Sequence, residues 1–513
     1  MTVLVLGDQL ARDHGPLAGV DPCEERVLLF EARAFARRKP YHPHKLTLVF
    51  SAMRHFRDAL REAGHAVDYR QCETFADGLD AHFEAHPGDC LEMMRPASFG
   101  AADRMRELVE ARGGSLAVLD NDLFVTSREQ WAAWMGDREP PYRQETFYRE
   151  ARRATGYLMD DDEPLGGEWN YDEQNRQFPG TDYEAPDPPE FEPDDLTRRT
   201  REWVDETFAG DYDTDPPGVG WADPEPFRWP VTREAALAAL EDFCEHRLVE
   251  FGPYQDAMLS GEPAMNHALL SGAMNLGLLH PREVIERVVD AATVDPDVPL
   301  SSLEGFVRQV LGWREFVRHV YRESMPELAG ANQLDHHERL PECYWTGDTD
   351  MACLADAVEG VRTRGYAHHI ERLMVLSNFA LLYGVDPAEL NEWFHATYVD
   401  AYHWVTTPNV VEMGSFGAGV FATKPYAASA NYIDEMSDHC GGCRFDPDAT
   451  TGADACPFNA LYWEFLDRNA DELRSNHRMG LVYSHLDGKD EASIAAIRDR
   501  AETVRDRLDR DEL

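Results

Sequence analysis

The chain has 513 residues, 43% of them apolar, with 11 Trp, 19 Tyr and 24 Phe. That is enough for a large buried core in two or more domains; it excludes wholesale disorder, and no apolar run reaches the ~18–20 residues that cross a bilayer. Acidic residues outnumber basic ones 95 to 49, a formal charge of −46, so any nucleic-acid contact has to come from local arginine clusters.

The acids are spread over the whole chain, and lysine is confined to Lys39, Lys45, Lys424 and Lys489. This pattern reads as a halophilic adaptation. Salt at 1 M shrinks the Debye length to ~3 Å, and dense carboxylates keep the surface hydrated. The opening, Met1 to Asp8, has no basic n-region and no small-residue cleavage site, so the expected location is the cytoplasm.

In chain order, Thr2–Leu6, Val27–Ala32, Ala66–Cys72, Cys90–Arg95 and Leu116–Asp120 are apolar runs of strand length. Helical patterns lie between them at Lys45–Ala63, Phe75–Ala85 and Ala102–Ala111. Alternation of this kind predicts an α/β domain over residues 1–125, a doubly wound parallel sheet. It contains no G-x-G-x-x-G and no Walker-type loop, so neither a dinucleotide oxidoreductase nor a P-loop enzyme is supported. Ligands of such sheets sit at the carboxyl ends of strands, which makes Asp8, Gln9 and Glu31 candidates; ordinary strand-to-helix loops explain them equally well. Residues 126–230 are rich in Pro, Asp, Glu, Trp and Tyr and read as an inter-domain linker, part helix and part loop. From residue 231 to 513 the pattern is helical: Arg233–Leu248, Pro281–Asp290, Leu303–Tyr321, Met351–Arg362, Ala367–Tyr383, Pro387–Phe394, and a charged, peripheral Ala492–Leu508. No fixed-period repeat is present.

Cysteine usage is not that of a disulfide scaffold. Cys23, Cys72, Cys90, Cys244 and Cys343 are scattered and read as small buried hydrophobes. The others carry chemistry. Cys440-Gly-Gly-Cys443 is followed after twelve residues by Cys456-Pro457, and Cys353 is the obvious fourth thiolate. Spacing alone leaves three readings open: zinc on four thiolates, a [4Fe-4S] cluster, which the Cys-Pro pair favours, or coincidentally neighbouring buried thiols.

Several segments then point one way. Glu262–Arg282, EPAMNHALLSGAMNLGLLHPR, resembles the flavin-phosphate segment of the photolyase/cryptochrome superfamily. Phe306–Phe316, FVRQVLGWREF, resembles its W-R-E-F helix, and Ala367–Met374, AHHIERLM, the helix under the flavin. With the four cysteines, the opening LGDQL and LVFSAMRHF at Leu48–Phe56, the whole chain resembles the iron–sulfur bacterial cryptochromes and photolyases, whose members include prokaryotic (6-4) photolyases. The resemblance implies an antenna-binding α/β domain with a 6,7-dimethyl-8-ribityllumazine antenna near Asp8, Gln9 and Glu31, and an all-α C-terminal domain holding U-shaped FAD. It further implies a [4Fe-4S] cluster on Cys353, Cys440, Cys443 and Cys456. The implied activity is light-driven electron transfer from reduced FAD to a (6-4) photoproduct in UV-damaged DNA, by a monomer with no membrane partner.

Residue by residue, Ser271 and Asn275 at a helix start suit a diphosphate, and Tyr254 suits stacking on the cofactor. The resemblance pairs Arg372 with Asp400 at the isoalloxazine edge, where a guanidinium stabilises an anionic ring, and adds Asn409. Thr406, six residues after Asp400, stands where this branch often has Glu to face flavin N5, and a threonine hydroxyl is a poor proton source. His368 and His369, adjacent on a helix and ~100° apart, are the expected proton donors. Tyr426 and Tyr432 match positions near the lesion, or simply pack beside the cysteine loop. Trp345, Trp393 and Trp404 are the expected electron relay, with Phe394 where a redox-active Tyr is usual. Arg33, Arg37, Arg38 and Lys39, and Arg149, Arg152 and Arg153, are the candidate phosphate contacts around a flipped-out lesion. The alternatives are a blue-light receptor without repair activity and a non-photoactive iron–sulfur DNA-binding protein.

Overall fold

Val3, Leu4 and Val5 have no polar face: all are buried, as a strand covered on both sides by helices requires. In the computed structural model, which describes residues 2–20, 22 and 25–513, they belong to β1 (Thr2–Val5) at the centre of a five-stranded sheet. The other strands are β2 (Arg26–Ala32), β3 (Ala66–Cys72), β4 (Cys90–Met94) and β5 (Ser115–Leu119), in the order β3-β2-β1-β4-β5. All four pairings are parallel, with Thr2 opposite Arg26 on one side and Leu91 on the other. β5, at the edge, alternates exposed and half-buried residues. Cys23 lies outside the described residues.

The helices of this part begin where side chains satisfy free N–H groups. His42 Nδ1 accepts from the His44 N–H ahead of Pro43–Glu62, and Thr74 and Asp77 form a reciprocal box ahead of Phe75–Ala85. Residues between 126 and 230 supply Arg128–Met135, Gln144–Thr155 and Asp195–Thr207, separated by loops. The last packs on Pro43–Glu62, where Phe50 meets Trp203 edge-on at 5.1 Å.

Beyond Arg233 helices dominate. The continuous helix expected over Leu303–Tyr321 is instead Leu300–Val307, a π-helical stretch Arg308–Arg314, and Glu315–Ser324. Two further π-helical stretches, Glu371–Ser377 and Pro408–Gly414, lie beside the candidate site; such wide turns concentrate at functional sites. The helix expected from Ala367 starts later. Gly365, at φ 64°, closes the preceding helix, and His368 precedes the new one with its N–H on Glu371 Oε2 at 2.9 Å. The pair His368–His369 therefore straddles a helix start.

The last helix, Glu491–Leu508, is not peripheral. Ile497, Ala501, Val504 and Leu508 form a buried stripe at helical spacing, and Arg500 Nη2 donates to the Ala455 carbonyl at 2.8 Å, beside Cys456. Its many charges hide that stripe in the composition. No helix among the described residues is long and apolar enough to cross a membrane.

Candidate active site

The helix Ser271–Leu276, the turn after Pro387–Thr397 and the π-helical stretch from Glu371 meet at one carboxylate. Arg372 Nη1 and Nη2 donate to Asp400 Oδ1 and Oδ2 at 3.0 and 3.2 Å. Ser271 Oγ donates to Asp400 Oδ2 at 2.6 Å, and Asn275 Nδ2 to the Asp400 carbonyl at 2.9 Å. Burial works to raise the Asp400 pKa, but the Arg372 charge and the hydrogen bonds outweigh it and hold the carboxyl below its ordinary value. The guanidinium lies 4.2 Å over the Tyr398 ring and 5.2 Å over Tyr366.

Two side chains of this region keep open surface. Arg372 is enclosed by protein, yet 24% of its side chain is open. His369 is likewise open although burial pulls its imidazole down to about 4. Polar atoms without partners accompany them: both ring nitrogens of buried His368 and the Oγ1 of buried Thr406. The loop before Ser271 holds Met265 and Leu269 at φ 43° and 55°, and non-glycine residues adopt such angles only where the surroundings impose them.

Each histidine is kept neutral at pH 7. His368 stacks on His267 with ring centroids 4.8 Å apart. Burial first, and neighbouring cationic groups second, hold His267 at about 3 and push His368 well below the ordinary value. Glu371, 3.7 Å from His368 Nε2, is pushed up to about 8 by burial, so it carries its proton at neutral pH.

Tyr426 is 39% exposed. Tyr432, half-buried on Ala430–Met436, is close enough to Asp256 and Arg176 that both act on its hydroxyl. Two asparagines that the sequence did not single out hold this segment. Asn378 exchanges hydrogen bonds with the Ala428 backbone at 2.9 and 3.0 Å. Asn459 accepts the Ala430 N–H at 3.0 Å and donates to the carbonyls of Pro447 and Ala449. Tyr254 meets Tyr183 edge-on at 5.2 Å, and Asn409 Nδ2 donates to the Val405 carbonyl at 2.7 Å.

An aromatic file leads away from Arg372. Tyr398 lies 5.9 Å from Trp393 and stacks on Phe394 at 5.2 Å; Trp393 meets Trp345 at 6.5 Å, and Trp345 stacks on Tyr212 at 4.6 Å. Trp404 is not in it. It packs against Phe124 at 5.1 Å and under Arg314, in the other core. Tyr398 follows Phe394 by one helical turn of spacing, a signal the sequence offered; Tyr212 offered none.

Cys353, Cys440, Cys443 and Cys456 line one small cavity with Met351, Ile433 and Phe458. Cys353 is buried, and its thiol pKa is driven far up by burial and then by the other three sulfurs; Cys440 and Cys456 are pushed up to about 12. The thiols ring the cavity without converging on a point. Among the described residues no three His, Cys, Asp or Glu side chains meet closely enough to hold a single ion.

Near the sheet, Asp8 is half-open but deep, and burial pushes its carboxyl up to about 6. Gln9 Nε2 is bound to the carbonyls of Met94 and Arg95. Glu31 is fully buried and accepts from Arg54, Tyr69 and Gln71. The two basic clusters are not free surfaces. Arg33 and Arg37 pair with Glu73, Lys39 with Glu392, and Arg149 with Glu145. Arg152 is buried and spent on the carbonyls of Tyr157, Leu158 and Trp169. Consecutive arginines on a helix point in different directions, and the abundant carboxylates claim most of them.

Residues 3–214 match the family profile described as deoxyribodipyrimidine photo-lyase-related protein. A protein of Agrobacterium fabrum named (6-4) photolyase is 39% identical over 489 residues, 94% of each chain. Among solved structures, a class III photolyase from Agrobacterium tumefaciens superposes with a TM-score of 0.61 at 15% identity, over 99% of this chain and 97% of its own. A cryptochrome from Synechocystis superposes with a TM-score of 0.59 at 14% identity, over 91% and 89%. At those identities the two structures establish the photolyase/cryptochrome fold, and the long, full-length similarity to the Agrobacterium fabrum protein establishes the kinship: the chain belongs to the deoxyribodipyrimidine photo-lyase-related protein family.

Proposed function

We propose that this protein repairs pyrimidine (6-4) photoproducts in DNA under light, as a flavoprotein lyase. The observation that carries the reading is the Arg372–Asp400–Ser271 cluster, with exposed His369 three residues before Arg372, in a chain 39% identical over 94% of its length to a protein named (6-4) photolyase. The residues fit FAD: a paired guanidinium and carboxylate, unpartnered polar atoms on His368 and Thr406, and an aromatic file running outward. When bound and reduced, FAD supplies the photoexcited electron.

The chain's own residues do the rest. Arg372, held by Asp400, offers positive charge to an electron-rich ring. His369, neutral and exposed, takes and returns a proton at the lesion once a nearby anion raises its pKa. His368 and protonated Glu371 stand behind it as a proton reserve. Tyr426 and Tyr432 meet the lesion, on a segment whose backbone Asn378 and Asn459 hold at Ala428 and Ala430. Trp345 and Trp393 carry electrons in from the surface.

The four cysteines hold a [4Fe-4S] cluster in this reading. Thiols spaced around a cavity suit a polynuclear centre better than one zinc ion. Asp8 marks the lumazine-type antenna site. Residues 1–125 are the antenna domain, 126–230 the linker, and 231–513 the flavin domain; the acidic composition reflects a halophilic source. The test is illumination with an oligonucleotide carrying one (6-4) lesion. Lesion loss in light, absent in darkness and abolished in a folded His369→Ala variant, is expected. Flavin photoreduction without lesion loss would move the reading to a photoreceptor.

A further inference from the structure

The aromatic file that starts at Tyr398 ends on Tyr212, half-buried at the surface. Tyr212 stacks flat on Trp345, with ring centroids 4.6 Å apart and planes 6° from parallel. Trp393, by contrast, meets Trp345 and Tyr398 nearly edge-on at 6.5 and 5.9 Å. The Tyr212 hydroxyl donates to the carboxylate of Glu342, three residues before Trp345. A closed loop fixes the ring in place. The Gly218 N–H donates to the Asp211 carbonyl at 2.9 Å, and the Gly220 N–H to the Gly210 carbonyl at 2.7 Å. A Cβ at position 218 would lie 2.4 Å from the Gly210 oxygen, so the loop closes this tightly only with glycine there.

What separates Tyr212 from the neighbouring rings is a destination for its proton. A phenol that loses an electron becomes a strong acid, so its oxidation is favourable only where a base takes the proton in the same step. Trp393 Nε1 and Tyr398 Oη are buried with no hydrogen-bond partner. Tyr344, 5.1 Å from Trp393, donates to the Leu376 carbonyl at 2.6 Å. Trp221, 5.2 Å from Trp345, donates to the Pro40 carbonyl at 3.1 Å. Carbonyl oxygens are far weaker bases than carboxylates. Burial first, and the carboxylates of Asp511 and Asp211 second, raise Glu342 above its ordinary value, which strengthens it as an acceptor.

On the flavoprotein reading above, on which this inference rests, we propose that Tyr212 is the terminal electron donor of flavin photoreduction and Glu342 its proton acceptor. Photoreduction draws one electron from Trp345 by way of Trp393 and leaves Trp345 a radical cation. Tyr212 returns one electron to Trp345. Its O–H bond breaks, the proton goes to Glu342, and a neutral tyrosyl radical then faces a neutral carboxylic acid. No positive charge is left on the file to draw the electron back. A thiol reductant restores Tyr212 with one hydrogen atom and becomes a thiyl radical, while Glu342 releases its proton to water.

The test is laser-flash absorbance and electron spin resonance on the flavin-loaded full chain, with dithiothreitol as the thiol. A tyrosyl radical that grows in as the tryptophan radical decays is expected, more slowly in deuterium oxide. Tyr212→Phe removes the tyrosyl signal and lowers the yield of lasting reduced flavin at least about tenfold. Glu342→Gln keeps a hydrogen-bond acceptor but no base, and has the same effect. It also abolishes the carboxylic-acid band that light brings up in infrared difference spectra of the native protein. Tyr462→Phe, at a ring that meets Trp463 at 5.3 Å outside the file, leaves the radical signals unchanged. A tyrosyl radical that persists in Tyr212→Phe, or none in the native protein, overturns the proposal; a tyrosyl radical formed at the native rate in Glu342→Gln overturns the role of Glu342. Native protein whose flavin is reduced chemically bypasses this route, so failure to repair the lesion there counts against the proposed function, whereas failure of the radical signals counts against Tyr212.

Discussion

Arg372 grips Asp400 with both terminal nitrogens, at 3.0 and 3.2 Å, while Ser271 holds the same carboxylate from the other side at 2.6 Å. Residues from three distant stretches of chain thus share one buried ion pair. Removing one partner leaves an uncompensated buried charge, which costs about 3–5 kcal/mol. Arg372→Ala and Asp400→Ala should each lower the midpoint of urea unfolding accordingly and empty the flavin site. The Asp400 carboxyl titrates lower folded than unfolded, so its stabilisation is complete above the ordinary carboxylate pKa and is lost as pH falls through the folded value. A variant of unchanged midpoint would show that the pair contributes nothing.

Acid lability should set in well above that range, because histidines are buried neutral. His44, buried, is held at about 4, and His319, buried, at about 2, with burial the largest cause in each case. Unfolding frees them to bind protons below ~6.5, so the unfolded state gains protons as pH falls. Stability is full above that value and declines by up to ~1.4 kcal/mol per pH unit per histidine until the folded pKa is reached. Urea midpoints measured from pH 7 to 5 should fall, and His319→Gln should flatten the slope by about one proton.

Aromatic substitutions should separate a relay from a core. Trp393→Phe and Trp345→Phe should slow flavin photoreduction at least ~10-fold, and Tyr398→Phe should slow it measurably, since Tyr398 lies between Arg372 and Trp393. Trp404→Phe should leave the rate unchanged, because Trp404 packs against Phe124 outside the file. Absorbance under blue light with an external reductant reads all four. Equal slowing by Trp404→Phe would put the electron route elsewhere.

Replacing any one of Cys353, Cys440, Cys443 and Cys456 by Ala should reduce iron from about four per chain toward zero and remove broad visible absorbance. Cys244→Ala, on a helix far from these thiols in the chain, should retain both. Zinc without iron in the native protein would decide against the cluster.

Asn459→Ala should uncouple two regions at once. It leaves the Ala430 N–H and the Pro447 and Ala449 carbonyls without their partner, a cost of about 1–3 kcal/mol per buried unsatisfied group. Faster hydrogen exchange over residues 426–432, with flavin content retained, is the expected readout.

Periodicity and caps made the sheet legible: the strands of β1 to β5 follow from short apolar runs separated by helical ones, because a parallel strand must be apolar on both faces. Motif order located Arg372, Asp400 and the cysteines as residue types suited to their chemistry. The sequence also determined the charge, and with it that arginine would do nearly all cationic work. Tertiary structure alone decided which arginines are free. Arg152 reads as a surface charge but is buried, while Arg128 and Arg322, unremarked in sequence, face an open cavity. It alone placed Trp404 outside the aromatic file, turned Glu491–Leu508 inward, and set Asn459 between tyrosine helix and cysteine loop. The reason is common to all of these: local pattern fixes which face of an element is apolar, but partners far apart in sequence meet only through packing, and it is packing that desolvates a charge or leaves it a donor to spare.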